Sequence, residues 1–468
     1  MAWILLLGLL LGFGAGTAQA EPVARTASVA TESATVAAAV DAPPPQSPGL
    51  GKALVVESSL FDRLRSLLGL GVMLSIAWLM STNRKKVSWR LVGVGVGLQV
   101  VLGIITRTPP GAWLFGQFNQ VVTAMLGYTT QGAAFIFGDL ARVGSTAYIA
   151  FGVLPTIIFF SSLMALLYHA GVMQKLVSAI AVVMQRTMKT SGAETLSAAG
   201  NIFVGQTEAP LLIRPFLEKM TQSELMAVMT GGFATVAGGV MIAYVGMLQG
   251  VFPDIAGHLL CASIMSAPAA LVVAKIMVPE TEVPDTYGHA KKLPKSTDEN
   301  ALDAAARGAA EGLQLALNVG AMLLAFIALV AMLNGILAGV CSVLGMEDPL
   351  TLEMLLGWLC APLAYLMGVS WEDATAVGAL LGVKTILNEF VAYLSLSQGA
   401  EALSPRSLVI ATYALCGFAN LGSIGIQLGG IAPIAPSRRP DLARLALRAM
   451  IGGTLAAFMT ACVIGVIL

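Results

Sequence analysis

The chain has 468 residues, 57% of them hydrophobic and only 11% charged, with 26 basic and 26 acidic side chains and a mean hydropathy of +0.82. Soluble domains carry roughly 25% charged residues, so the composition excludes a water-soluble protein, and zero net charge offers no basic surface for a nucleic acid. The five cysteines form no Cys-x-x-Cys pair and the three histidines no His-x-x-x-His pair, so the signatures of a metal enzyme are missing.

Residues 1–20 read as a signal peptide, with an apolar run from Trp3 and an Ala-x-Ala site at Ala18-Gln19-Ala20. Residues 21–55, rich in Ala, Thr, Ser and Pro, read as a flexible tail that a signal peptide leaves outside the cytoplasm. The remainder, 56–468, reads as a membrane domain. A first span is expected at about 65–81, followed by Arg84, Lys85, Lys86 and Arg90, a basic loop placed in the cytoplasm by the positive-inside rule. A second span, 91–106, leads outward to Pro109-Pro110. Residues 113–142 are apolar but interrupted by Gln117, Asn119, Gln120, Gln131 and Asp139, which suits an interfacial helix. A third span, 147–168, returns inside to a helix carrying Lys175, Arg186 and Lys189.

The stretch 191–219 packs Gly, Asn, Gln, Thr, Glu and two prolines into one span's length, which suits a re-entrant hairpin rather than a lipid-facing helix. Spans at 224–249 and 257–278 follow. The loop 279–307, with Lys291, Lys292, Lys295 and Arg307, is expected inside, and a span at 318–343 leads out. Residues 352–398 then read as a second hairpin, entering from outside. A span at 405–432 ends at Arg438, Arg439, Arg444 and Arg448, inside, and the last span, 449–467, finishes outside. The expected fold is all-α, with eight transmembrane helices, two re-entrant hairpins and interfacial helices, and both ends extracytoplasmic in an inner membrane.

Each hairpin holds a glutamate, and each glutamate is followed by Gly-Phe-Ala. Glu208 precedes Gly232-Phe233-Ala234 by 24 residues, and Glu389 precedes Gly417-Phe418-Ala419 by 28. A charge at the centre of a spanning helix costs about 2.5–3.5 kcal/mol, so two in matched surroundings point to a polar site between repeats. The hairpins enter from opposite sides, which makes the repeat inverted, as in secondary transporters. Aligning the tripeptides sets Thr235 against Asn420 and Gly238 against Ser423.

Gln206, Thr207 and Glu208 offer an amide, a hydroxyl and a carboxylate in succession, a set that suits a heterocycle edge. Gly205 leaves room beside Gln206 for bases of either size. Asn388, Glu389, Asn420 and Ser423 form a second set, suited to vicinal hydroxyls. Phe418 packs either against a ligand or in the core. Asn201, Thr235 and carbonyls near Val204 could supply oxygens to a small cation. Lys384 either neutralises a carboxylate or snorkels to the interface, while Arg214 reads as an interfacial anchor.

Three stretches, 201–215, 382–394 and 413–426, resemble the concentrative nucleoside transporter family, and the resemblance extends over about 60–468. It implies sodium-coupled import of nucleosides by a homotrimer in membrane lipid. Each protomer would have a scaffold part (65–168 and 318–343) and a transport part (170–278 and 352–468). It implies that Gln206, Thr207 and Glu208 face the base, that Glu389, Asn420 and Ser423 hold the ribose, and that Phe418 and Val240 line the pocket. For sodium, the coupling ion, it points to Asn201, Val204, Thr235 and Val236. Rival readings are proton coupling, an intramembrane enzyme with the glutamates as acid and base, and a channel.

Overall fold

A computed structural model of the protein describes residues 58–141, 148–287, 298–346 and 349–468. The expected signal peptide at 1–20, the tail at 21–55, and Lys291, Lys292 and Lys295 lie outside the described residues. Five helices precede the first repeat: α1 (Leu60–Leu79), α2 (Trp89–Arg107), α3 (Pro109–Phe137), α4 (Leu154–His169) and α5 (Val172–Met188). A capping box starts α1, with Ser59 Oγ accepting from the Asp62 N–H and the Asp62 carboxylate from the Ser59 N–H. Thr108 and Pro109 start α3, because proline in a first turn has no orphan N–H. Residues 113–142, expected to be interfacial, fall mostly in α3, which is 29 residues long yet not apolar enough to count as a span.

The first repeat opens with α6 (Gly192–Gly200), leaves the helix at 201–208, and returns through 3-10 turns at Ala209–Ile213 and Leu217–Lys219. Ser191 Oγ donates to the Glu224 carboxylate at 2.5 Å, so the chain leaves this fold-back where it entered. Then come α7 (Gln222–Ala234), α8 (Gly238–Leu248) and α9 (Ile255–Met277). Between the repeats lie α10 (Ala301–Val343) and α11 (Leu352–Met367). Asn300 accepts from the N–H groups of Leu302 and Asp303, and this cap starts α10 at 301 rather than at 318, where the apolar run begins.

The second repeat comprises α12 (Trp371–Ile386), α13 (Glu389–Gly399), α14 (Pro405–Leu415), α15 (Leu421–Ile431) and α16 (Arg439–Ile467). Gly368, at φ +108°, caps α11 in the left-handed region, and α12 departs from it at 117°. Ser404 Oγ donates to Asp373 at 2.7 Å and the Ser370 N–H to Ser407 Oγ at 3.3 Å, closing a second fold-back. That fold-back covers 371–399. The expectation of one hairpin over 352–398 is corrected, because the Gly368 stop and the Ser370 cap make α11 a separate helix. The last helix likewise begins at Arg439 rather than at 449.

Both repeats run in the same order: a Ser-capped helix, a tip, a returning arm, a helix broken in its middle, and an unbroken helix. The breaks, at 235–237 and 416–420, fall inside stretches expected to be continuous, 224–249 and 405–432. Among the described residues, six segments are long and apolar enough to cross a membrane: α2, α4 with its preceding turn, α7 with α8, α9, α10 and α16. The bent pair α11 and α12 would make a seventh. The protein is thus an all-helical membrane protein with several apolar spans. Arg63, Arg65 and Asp62 keep α1 out of this set.

Small residues set the helix contacts. Gly308 and Gly312 of α10 lie against the α4 backbone at Ser161, Ser162 and Ile158, where any Cβ would collide. Ser162 Oγ adds a hydrogen bond to the Ala305 carbonyl at 2.9 Å. Elsewhere Arg406, at the start of α14, donates to the Gly368 and Gly465 carbonyls and to Ser58 and Ser66 of the N-terminal segment. Arg65 of α1 donates to the Val369 carbonyl at 3.0 Å and lies over the Tyr365 ring at 4.0 Å. These bonds pin α1 to the base of the second fold-back.

Candidate functional site

The two breaks meet. Gly417, at φ +138°, approaches Phe233 and Ala234 so closely that a Cβ would sit 2.9–3.0 Å from their carbonyl oxygens. Only glycine fits this approach. The Phe418 N–H donates to the Thr235 carbonyl at 3.3 Å, joining the two broken helices. Each break also frees backbone groups at a helix end, which is where polar ligands find donors and acceptors in a membrane protein.

Glu389 is the first residue of α13, after the N-cap Asn388, and is only 5% exposed. One carboxylate oxygen accepts from Tyr244 OH at 3.0 Å and the other from Asn420 Nδ2 at 2.9 Å. Asn420 is itself the N-cap of α15, its Oδ1 accepting from the Ser423 N–H at 2.8 Å. That cap fixes the amide so that its NH2 must face Glu389. The start of α13, with its dipole's positive end, favours the same carboxylate. Tyr244 is held by stacking on Tyr393, with centroids 4.4 Å apart, and edge-on to Phe390. Val240 is buried one turn before Tyr244 on the same face of α8.

At the first fold-back, buried Gln206 accepts from Gln427 Nε2 at 3.2 Å, and Gln427 also donates to the Met229 carbonyl at 3.0 Å. Thr207 Oγ1 donates to Glu208 at 2.9 Å. Glu208 is exposed, and its carboxylate lies over Gly205 where a Cβ would be. The room expected beside Gln206 is therefore filled by Glu208, a correction to the reading of Gly205 as open space.

One helix face links these clusters. Asn420, Ser423 and Gln427 stand at i, i+3 and i+7 on α15, so they point the same way. Asn420 reaches the Glu389 cluster and Gln427 the Gln206 cluster. Phe418, half-buried in the break before α15, is at the same end as Asn420.

Asn201 ends α6 and is 1% exposed, yet neither atom of its side-chain amide has a hydrogen-bond partner. Leaving a buried amide unpaired costs about 1–3 kcal/mol. Its neighbours' carbonyls are engaged, Ile202 by Ser263 Oγ and Phe203 by the Gly238 N–H. Thr235 Oγ1 donates to the Gly231 carbonyl at 2.9 Å, and Asn201 Nδ2 lies 3.3 Å from where a Gly231 Cβ would be. The hydroxyls of Ser197, one turn before Asn201, and of Thr230, beside Gly231, are also buried without partners. An orphaned amide oxygen with hydroxyls on both facing helices fits a small hard cation. Val204 is half-buried and Val236 fully buried in the same two segments.

Lys384 does not snorkel, and of its two expected roles it keeps the electrostatic one, since its charge acts on the buried Glu389 carboxylate without direct contact. It is 1% exposed, which rules out snorkelling, and its Nζ donates to the Ala414 carbonyl at 2.8 Å, at the broken end of α14. It makes no ion pair among the described residues. Arg214 is exposed, in keeping with an anchor. Tyr244, Gln427, Ser197 and Thr230 were not singled out from sequence. The available signal was a lone polar group inside an apolar run, strongest at Tyr244 and Gln427.

Comparison with known proteins gives three family matches: Na+ dependent nucleoside transporter N-terminus over residues 68–140, Nucleoside recognition over 150–250, and Na+ dependent nucleoside transporter C-terminus over 258–465. The uncharacterized transporter YutK of Bacillus subtilis is 44% identical over 404 residues, 86% of this chain and 98% of that protein. Solute carrier family 28 member 3 of Mus musculus is 44% identical over 85% of this chain, and sodium/nucleoside cotransporter 1 of Rattus norvegicus 43% over 87%. This chain spans only 58% and 64% of the length of those two relatives. Among solved structures, CNTnw in an inward-facing substrate-bound state matches with TM-score 0.80 at 44% identity, covering 86% of this chain and 97% of that one. An outward-facing CNTnw variant matches with TM-score 0.82 at 44% identity, covering 87% and 98%. The chain belongs to the concentrative, Na+-dependent nucleoside transporter family, a family of transporters and not of enzymes.

Proposed function

We propose that this protein is a secondary active symporter that imports nucleosides together with sodium across an inner membrane, with both termini extracytoplasmic. The observation that carries the reading is the shared face of α15, whose Asn420, Ser423 and Gln427 join two hairpin clusters into one polar surface. Glu389, Asn420 and Ser423 take the ribose: a carboxylate accepts from a vicinal hydroxyl pair while an amide and a hydroxyl complete the set. Gln206, Thr207 and Glu208 take the base, and Phe418 and Val240 line the space between. We add Tyr244 as the residue that aims Glu389, and Gln427 as the one that aims Gln206.

Sodium binds at Asn201 with Val204, Thr235 and Val236, supported by the orphaned Asn201 amide. Sodium there would bridge the first tip to the break in α7, ordering the base-binding residues that follow Asn201 and so raising nucleoside affinity. A tenfold sodium gradient supplies about 1.4 kcal/mol and a potential of about 100 mV, inside negative, about 2.3 kcal/mol per charge. Together, about 3.7 kcal/mol sustains a nucleoside gradient of a few hundred-fold.

The membrane topology is eight spans with two re-entrant hairpins in an inverted repeat, the broken pairs α7–α8 and α14–α15 each crossing once. A homotrimer holds a scaffold part fixed while the hairpin-bearing part moves as a rigid body. The bonds from Arg406 and Arg65 argue for counting α1 with the moving part and leaving α4 and α10 as the core of the scaffold. The test is labelled uridine uptake with sodium and proton gradients imposed separately. Uptake driven by a proton gradient alone would transfer the coupling to protons, and purified protein that splits the nucleoside would favour the enzyme reading.

A further inference from the structure

Away from these clusters the molecule holds a cavity of about 300 Å³ that shares no lining residue with them. Its lining includes Lys86, Arg90, Lys189 and Lys275 against two carboxylates, Glu194 and Glu280. Lys275 is buried and satisfies both carboxylates, at 2.7 and 3.0 Å. Lys86, Arg90 and Lys189 have no counterion among the described residues. The lining thus carries four cations against two carboxylates, an excess of two positive charges. The start of α6 at its edge is already satisfied, since the N–H groups of Gly192 and Ala193 go to Thr286 at 3.0 and 3.1 Å. Any attraction for an anion therefore comes from the side chains.

The backbone of Lys189 supplies a second observation. It sits at φ +55°, the one non-glycine residue in the left-handed region among the described residues. Glycine adopts that conformation without steric penalty, and a side chain does not. A lysine held where glycine would fit better, at the lining of a cavity, is an outlier that points to a use for the side chain. The same cavity has an apolar wall in Leu91, Val94 and Met188. The α1–α2 loop and the end of α5 carry basic residues, which the positive-inside rule assigns to the cytoplasmic side, beside an anionic leaflet.

We infer that this cavity binds a phosphate-bearing anion, held by Lys86, Arg90 and Lys189. The donors come from the α1–α2 loop, the first turn of α2 and the C-terminal cap of α5, so the anion ties these elements together at the entrance to the first fold-back. The apolar wall suits the glycerol end of a phospholipid, while the charges alone suit soluble phosphate. Neither depends on the nucleoside reading, and uptake is not the readout.

The test uses the full chain, purified and placed in phosphatidylcholine vesicles containing spin-labelled phosphatidylglycerol. Lys189→Gly removes the cation and suits the local backbone, so it should fold with an unchanged or raised thermal midpoint. It should lower the relative association of phosphatidylglycerol about fivefold, and Lys86→Ala with Arg90→Ala should lower it further. Arg186→Ala, exposed on α5 but outside the cavity, should leave it unchanged. Inorganic phosphate then separates the sources: displacement of the labelled lipid by millimolar phosphate identifies a soluble-phosphate site, and its failure identifies the headgroup. Unchanged association in Lys189→Gly, or an equal loss in Arg186→Ala, would overturn the inference.

Discussion

Glu389 shows how a costly charge becomes usable. Both carboxylate oxygens are engaged by Tyr244 and Asn420, and each partner is held in turn, by ring stacking or by a cap. A hydrogen bond to a buried charge is worth about 1.5–3 kcal/mol. Tyr244→Phe should therefore raise the KM for uridine about ten- to a hundredfold, read by initial-rate uptake, with little change in expression; an unaltered KM would remove Tyr244 from the site. Glu389→Gln should lose most uptake, since an amide cannot accept from both a ribose hydroxyl pair and its two present donors. At Asn201 the prediction separates ion from solute: Asn201→Ala should raise the sodium concentration for half-maximal uptake about tenfold, the equivalent of about 1.4 kcal/mol, and alter the KM at saturating sodium far less. Glu389, Asn420, Gln206 and Asn201 stand out in the sequence as charges and amides in apolar runs. Tyr244 and Gln427 stand in such runs too, but what they act on is not legible there, because each acts on a residue of the other repeat and no spacing along the chain connects them.

At the scale of elements, the repeats are held by their ends. Ser191 and Ser370 each cap the helix that opens a fold-back and close its base onto the helix that follows. Replacing either with alanine should cost about 1 kcal/mol and lower the thermal midpoint by a few degrees in a fluorescence melt. Gly417→Ala should cost more, because it strains a positive φ and drives a Cβ into two carbonyl oxygens with no flexible side chain to yield. Loss of monodisperse protein is the expected result; a melt equal to the parent would show that the breaks tolerate separation. The breaks themselves were hidden in the sequence. Hydropathy runs straight through 224–249 and 405–432, and what interrupts them is the approach of Gly417 to Phe233 and Ala234, a contact between distant segments. The start of the second fold-back was misplaced for a related reason: α11 is as apolar as a hairpin arm, and only the left-handed Gly368 and the Ser370 cap divide it from α12.

At the scale of the molecule, the basic loops and the matched glutamates carried the layout, since charge asymmetry and polar cost are properties of sequence alone. What they could not carry was the grouping of helices into bodies. The resemblance implies that the first two expected spans belong to a scaffold, while the buried guanidinium of Arg406, which reaches from α14 to α1 and α16, supports counting α1 with the other part. On this account α1 travels with the substrate site, and the glycine-lined contact of α4 with α10 stays behind.

If nucleoside and sodium share one coupled site, purified protein in sealed vesicles, loaded without sodium and diluted into labelled uridine with sodium outside, should accumulate uridine transiently above the external concentration, and the accumulation should vanish when sodium is equal on both sides. Accumulation under a proton gradient without sodium, or simple equilibration whatever the gradient, would contradict that coupling.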